Sequence, residues 1–213
     1  MNSFTLHVQR LSKHFGTKSV FNDISLKHTE GVLGIAGSNG SGKSTLLRCL
    51  AGLDRPTSGT VEWFQDNEPI DKESLKKNIG YAAPYINLYR ELSCAENLNF
   101  LLELRGAKGQ LAAAHEALKK TGIGDLSDQL FVNLSTGQQQ RLRLAAALVP
   151  NPDILFLDEP GSNLDKKGRE LIEELVNDFR ETKNLVFIAS NIPAELALCD
   201  RIYSVEDEKL VRK

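Results

Sequence analysis

Three clusters in this sequence combine residue types and spacings suited to chemistry on phosphate. The first is GSNGSGKS, Gly37 to Ser44, which fits G-x-x-x-x-G-K-[ST]. An apolar run, Val32 to Ala36, precedes it, and leucines at helical spacing, Leu46, Leu47, Leu50 and Leu53, follow. That strand–loop–helix context is what the pattern requires. Gly37, Gly40 and Gly42 let backbone N–H groups close round phosphate oxygens, with Ser38, Asn39 and Ser41 between them. The helix beginning near Thr45 turns its positive end to the same anion. Lys43 is placed to reach β- and γ-phosphates, and the Ser44 hydroxyl to hold Mg²⁺. The second cluster is ILFLDEP, Ile154 to Pro160, where an apolar strand runs into two carboxylates. Ligands of parallel sheets sit at the carboxyl ends of strands. Asp158 would then hold the metal, directly or through a water, and Glu159 would face the γ-phosphate and polarise a water. The third is LSTGQQQR, Leu134 to Arg141. Ser135 can cap a helix and Gly137 permits close backbone approach; physics alone makes this an anion-friendly helix start.

Positioning these clusters takes an alternation of strands and helices. Strand patterns fall at Phe4 to Gln9, Val20 to Leu26, Val32 to Ala36, Gly59 to Phe64, Ile79 to Ala82, Ile154 to Leu157, Leu185 to Ala189 and Arg201 to Val205. Helical spacing marks Leu142, Ala145, Ala146 and Val149, and again Ile172, Leu175, Val176 and Phe179. The alternation predicts a mostly parallel sheet covered on both faces. The middle has a different texture. Ser93 and Glu96 form an S-x-x-E capping box ahead of Leu98, Leu101 and Leu102, in a helix that should stop at Gly106. Leu111, Ala114 and Leu118 mark a second helix, closed near Gly122. The expectation is a single α/β domain over 1–213: a core of 1–83 and 134–213 with a helical lobe at 84–133.

Composition narrows the class. The chain has 213 residues, enough for one domain at roughly 150 residues each, and is 41% hydrophobic and 25% charged. A net charge of −2 gives no basic excess to neutralise nucleic-acid phosphates, so nucleic acid is not an expected partner. The longest apolar run, Leu144 to Val149, ends at Pro150, far short of the roughly 18 residues that span a bilayer. The first ten residues show no signal-peptide pattern. Cys49, Cys94 and Cys199 are odd in number and far apart, which suits a reducing compartment and buried apolar roles. The four histidines have no zinc spacing, and Glu206 to Glu208 reads as a solvated acidic turn.

The three clusters in this order resemble the nucleotide-binding subunit of ATP-binding cassette (ABC) transporters, over nearly the whole chain. LSTGQ resembles that family's signature sequence, with Thr136 where a second Gly is commoner. The resemblance implies a P-loop NTPase, RecA-like core with N-terminal antiparallel strands and an inserted helical lobe. It implies ATP and Mg²⁺ as ligands, and two cassettes paired head to tail. Each ATP would lie between one copy's Gly37–Thr45 and the other's Ser135, Gly137 and Gln138. It places Phe15 against the adenine, and Ser162 to Asp165 in the segment crossing to the partner copy. It further implies a membrane-spanning subunit docked on the helical lobe near Pro84 to Arg90, and a peripheral place on the cytoplasmic face of the membrane. Within the family, the length and the QQQR run resemble haem-exporter or cytochrome-maturation subunits.

Two positions depart from the family pattern. A Gln usual after the strand at Ile79 to Ala82 is replaced by YAAPY with Pro84, and no Gln occurs between Asp66 and Gly109. Asn87 or Tyr85 would have to stand in. A His usual after the strand at Leu185 to Ala189 is Asn191 here, which can donate to a phosphate oxygen but carries no charge. Two readings stay open: an ATPase driving transport, with Glu159, Lys43 and Asn191 in the catalytic set, or an ATP-dependent dimerising module with little turnover. A soluble ABC ATPase of DNA repair or translation would need a second cassette or long insertions.

Overall fold

The computed structural model describes residues 3–107 and 111–213. In chain order the elements are β1 (Phe4–Phe15), β2 (Lys18–His28), β3 (Val32–Ala36), α1 (Lys43–Leu50), β4 (Ser58–Gln65), β5 (Glu68–Pro69), α2 (Lys72–Asn78) and β6 (Ile79–Ala82). Two lobe helices follow, α3 (Cys94–Leu104) and α4 (Leu111–Lys120). Then come α5 (Thr136–Leu148), β7 (Ile154–Asp158), α6 (Lys166–Glu181), β8 (Leu185–Ser190), α7 (Pro193–Leu196), β9 (Arg201–Glu206) and β10 (Lys209–Arg212). An antiparallel sheet runs β2-β1-β4-β5, and a second sheet runs β10-β9-β3-β8-β7-β6, parallel except for the β10–β9 pair.

Period-two alternation sorts the parallel strands onto two cores. Phe156 of β7 and Phe187 of β8 are register partners, stack at 4.7 Å, and face α1 and the antiparallel sheet. Leu6, Phe21, Leu46, Leu47, Leu50 and Trp63 complete that layer, so α1 lies between the two sheets. The intervening residues Leu155, Leu157, Val186 and Ile188 face the other way, onto Ile172, Leu175 and Val176 of α6. Leu98 and Leu102 of α3 and Ala114 and Leu118 of α4 pack on Leu142 and Ala145 of α5 and on Val149 just past its end. The apolar cluster of the lobe therefore continues past residue 133 into the helix that carries the third motif. Gly80 lets α5 lie directly on β6: a methyl there would overlap the Ala147 carbonyl and come within 2.9 Å of Pro152 Cγ.

Several elements differ from the pattern-based expectation. β1 and β2 run longer than the alternation showed, because bulges between Val8 and Leu11 and between Leu11 and Lys13 break the period of two. α1 ends at Leu50 and leaves Leu53 exposed, whereas the leucine spacing extended the helix to 53. α2 was not expected: Leu75 is its one buried residue, so it has no apolar stripe, and it is set by Asp71, whose carboxylate accepts from the N–H groups of Glu73 and Ser74. No described helix is long and apolar enough to cross a membrane.

Candidate active site

The loop between β3 and α1 is shaped by glycines that no other residue could replace without strain. Gly42 sits at φ 101°, and a Cβ there would lie 2.6 Å from Val20 Cγ1. Lys43 opens α1 with 3% of its surface exposed, and its ammonium donates to the Ser38 carbonyl at 2.9 Å. The buried Ser41 hydroxyl has no protein partner. A cleft of ≈ 960 Å³ opens over this loop, lined by residues 37–45, by Phe15 and Lys18 from the β1–β2 turn, by Glu159, and by residues 204–208. Phe15 is 55% exposed and lies face-on to the Lys13 ammonium, 4.8 Å away. Its free ring face suits stacking on a purine.

Behind the loop, Ser44 and Asp158 meet. The Ser44 hydroxyl donates to Asp158 Oδ1 at 2.9 Å, and the Tyr85 hydroxyl donates to Oδ2 at 2.9 Å. Asp158 is 1% exposed, and burial pushes its carboxyl above the ordinary range while these two donors pull it back. One hydroxyl and one carboxylate oxygen are hard donors at the end of a phosphate loop. Mg²⁺ takes such a set, keeping its other places for waters and substrate phosphates. Among the described residues no three His, Cys, Asp or Glu side chains cluster as a metal cage, and the donor chemistry of the Ser44–Asp158 pair is of the kind such an ion takes. When bound, the ion would neutralise phosphate charge.

Glu159 adopts φ 45°, a left-handed conformation uncommon for a non-glycine residue. Its N–H donates to the Ala189 carbonyl at 2.8 Å, which fixes the turn off β7, and its side chain reaches the cleft. Such strain at a strand end persists when the surroundings over-determine it. Asn191, past β8, is not part of the cleft lining; its amide donates to Asn39 Oδ1 of the loop at 2.9 Å.

Ser135 caps α5 in a capping box with Gln138: the Gln138 N–H donates to Ser135 Oγ at 3.3 Å and the Ser135 N–H to Gln138 Oε1 at 2.9 Å. Gly137 lies so close to the loop after β7 that a Cβ would be 3.1 Å from the Asn163 carbonyl. Gln140, fully buried, donates to the Pro160 carbonyl at 3.1 Å. Ser135, Gly137 and Gln138 do not line the cleft of their own chain.

Three features lay beyond the motifs. Glu206 to Glu208 form the exposed acidic turn that the sequence suggests, and that turn also lines the cleft, with the Glu208 carbonyl accepting from the Asn22 N–H at 2.7 Å. β9 showed in the sequence as Arg201 to Val205, but β10, its short and charged partner, has no periodicity to announce it. Tyr85, one of two candidates for the missing Gln, reaches Asp158, whereas Asn87 lines a separate groove. Tyr81, whose hydroxyl lies 2.8 Å from that of Tyr85, gave no sign in the sequence beyond its place on an apolar strand. Burial pushes the Tyr85 phenol up to about 12 and Tyr81 higher still, so both stay protonated donors.

A parallel sheet, a glycine-rich loop and a strand-end Asp-Glu pair define a P-loop nucleotide-binding fold. Residues 21–162 match the ABC transporter family, and the chain belongs to it. It is 31% identical, over its whole length, to the Fe(3+) ions import ATP-binding protein FbpC 2 of Haemophilus influenzae, and covers 62% of that protein. It is 34% identical over 93% of its length to the sulfate/thiosulfate import ATP-binding protein CysA of Nitrosomonas europaea, covering 57% of it. It is also 34% identical over its whole length to the lipoprotein-releasing system ATP-binding protein LolD of Pseudoalteromonas translucida, 97% of which it covers. The chain thus spans about six-tenths of the first two relatives. The fold matches the dimeric structure of MJ0796, a bacterial ABC transporter cassette, with a TM-score of 0.83, 28% identity and 96% of each chain covered. The post-hydrolysis dimer of the same cassette, bound to ADP and phosphate, matches equally.

Proposed function

We propose that the chain is the ATP-binding subunit of an ABC transporter, hydrolysing ATP in a head-to-tail pair to drive transport through separate membrane subunits. The observation that carries this reading is the Ser44–Asp158 contact behind the loop, with Glu159 beside it at the cleft. The loop N–H groups, Lys43 and the Ser41 hydroxyl would grip the triphosphate, and Phe15 would stack on the adenine. Glu159 would take a proton from the attacking water as its oxygen bonds to the γ-phosphorus and the bond to the β-phosphate oxygen breaks. Asn191 would donate to the γ-phosphate, released from Asn39. Because Ser135, Gly137 and Gln138 stand away from their own cleft, a second copy would supply them, as the dimeric relative suggests. Gain and loss of the γ-phosphate then close and open the pair.

The partner site has a physical candidate. An apolar groove of ≈ 530 Å³ lies between α2, β6 and α3, with Leu53, Tyr89 and Leu104 exposed round it. A short amphipathic segment of a permease fits such a groove. The domain 1–213 would then meet the membrane subunit through the 84–133 lobe and sit peripherally at the cytoplasmic face. The relatives' names span iron, sulfate and lipoprotein, so they share nucleotide chemistry, not a cargo. Steady-state phosphate release from purified protein, with Lys43→Ala as blank, tests the reading. Turnover above the blank supports it; ATP-induced dimerisation without turnover would favour a gated dimerising module. Leu104→Glu in the groove should keep ATP binding and lose the copurifying permease; retention of the permease would exclude the groove.

A further inference from the structure

A chain of side-chain hydrogen bonds joins the wall of the groove to the metal pair. Tyr81 lines the groove, and its hydroxyl lies 2.8 Å from that of Tyr85. The Tyr85 hydroxyl donates to Asp158 Oδ2, and Asp158 Oδ1 takes the Ser44 hydroxyl. A hydroxyl has one hydrogen. With that of Tyr85 committed to Asp158, the hydrogen between the tyrosines comes from Tyr81, so the chain runs one way: Tyr81 to Tyr85 to Asp158. Tyr81 is fixed to the strand that bears Asp158, because its ring stacks on Phe156 at 6.1 Å. Tyr85 is 47% exposed, so core packing does not account for a hydroxyl aimed at a buried carboxylate. The Arg48 guanidinium, 5.9 Å from the ring centroid, holds the ring from one face.

Resting on the ATPase reading above, we propose that Tyr85 is the positioning residue for Asp158, with Tyr81 locking its hydroxyl. Bonding at Oδ2 stops the carboxylate from rotating and leaves Oδ1 beside Ser44, where the ion would be met. The pair orients a candidate ligand of the metal and contributes no ligand itself. Partners that orient metal ligands typically set 10–100-fold in metal affinity.

The test uses a fluorescent N-methylanthraniloyl ATP, titrated onto the protein in EDTA and then with rising Mg²⁺. Tyr85→Phe should leave the affinity in EDTA unchanged and raise the Mg²⁺ concentration for half-maximal response roughly tenfold or more. Tyr81→Phe, which keeps the Tyr85–Asp158 bond, should raise it roughly 2- to 10-fold, the worth of one ordinary hydrogen bond. A role in packing alone would weaken binding in EDTA and in Mg²⁺ alike, and that parallel loss overturns the proposal. So does an unchanged Mg²⁺ midpoint in Tyr85→Phe, which leaves the ATPase reading standing. A wild-type protein that binds no nucleotide under either condition overturns both.

Discussion

Glu159→Gln replaces one carboxylate oxygen by NH₂ and leaves the backbone alone. The bond from the residue 159 N–H to the Ala189 carbonyl is a main-chain contact, and the φ of 45° belongs to the turn, so the side chain keeps its place at the cleft. What disappears is the ability to accept a proton from water. A positioned general base is worth ~10²–10⁴-fold, or about 2.7–5.5 kcal/mol of barrier. The groups that would hold ground-state ATP, Lys43, Ser44 and the loop amides, are untouched, so binding should stay within about twofold. Phosphate release should therefore fall at least ~100-fold while ATP accumulates on the protein. Sedimentation velocity in MgATP should then show the variant as a persistent pair, where the wild type cycles back to monomer. Undiminished hydrolysis would show that Glu159 is not the base. Loss of ATP binding together with turnover would show that the variant disturbs the loop and that the geometric reasoning is wrong.

Two further outcomes follow from packing and burial. Gly80→Ala drives a methyl into the Ala147 carbonyl where α5 crosses β6, and overpacking of this kind costs about 1–3 kcal/mol. At roughly 2–4 °C per kcal/mol in a chain of this size, Trp63 fluorescence should report a midpoint lowered by about 2–12 °C; an unchanged midpoint would mean that α5 moves aside freely. His28 is fully buried against Phe187, and burial lowers its pKa from 6.5 to about 4. A lowered folded value gives stability that is present above 6.5 and lost as pH falls towards 4. Between pH 7.5 and 5.5 this amounts to about 1.3 kcal/mol, or roughly 3–5 °C. His28→Leu should flatten that slope, and a variant with the wild-type slope would show that another group causes it.

The legible parts of the fold were those with strong local signals. Val32–Ala36 and Ile79–Ala82 are bounded by glycines or by a change of texture, and the structure places both strands at those residues. The Ser93–Glu96 box and the Ser135 cap mark helix starts because each is a contact between neighbours in sequence. Elements held by distant contacts gave no pattern: α2 buries one leucine, and β10 exists as the partner of β9. The site follows the same division. Lys43, Ser44 and Asp158 are visible as motifs because loop geometry fixes their types. Tyr85 stood only as one of two candidates for the missing Gln, and the sequence could not choose between them because its role depends on a hydroxyl meeting a carboxylate 73 residues away. That the solvated turn at Glu206 to Glu208 also walls the cleft was not legible, because its tie to Asn22 crosses most of the chain.

Calorimetric titration of MgATP into the wild-type protein and into Lys43→Ala is the most direct test of a triphosphate held by the β3–α1 loop. Lys43 is buried within that loop, so the wild type should give a saturable heat and the variant little or none. Equal affinity in the two proteins, or no heat with the wild type, would contradict the account.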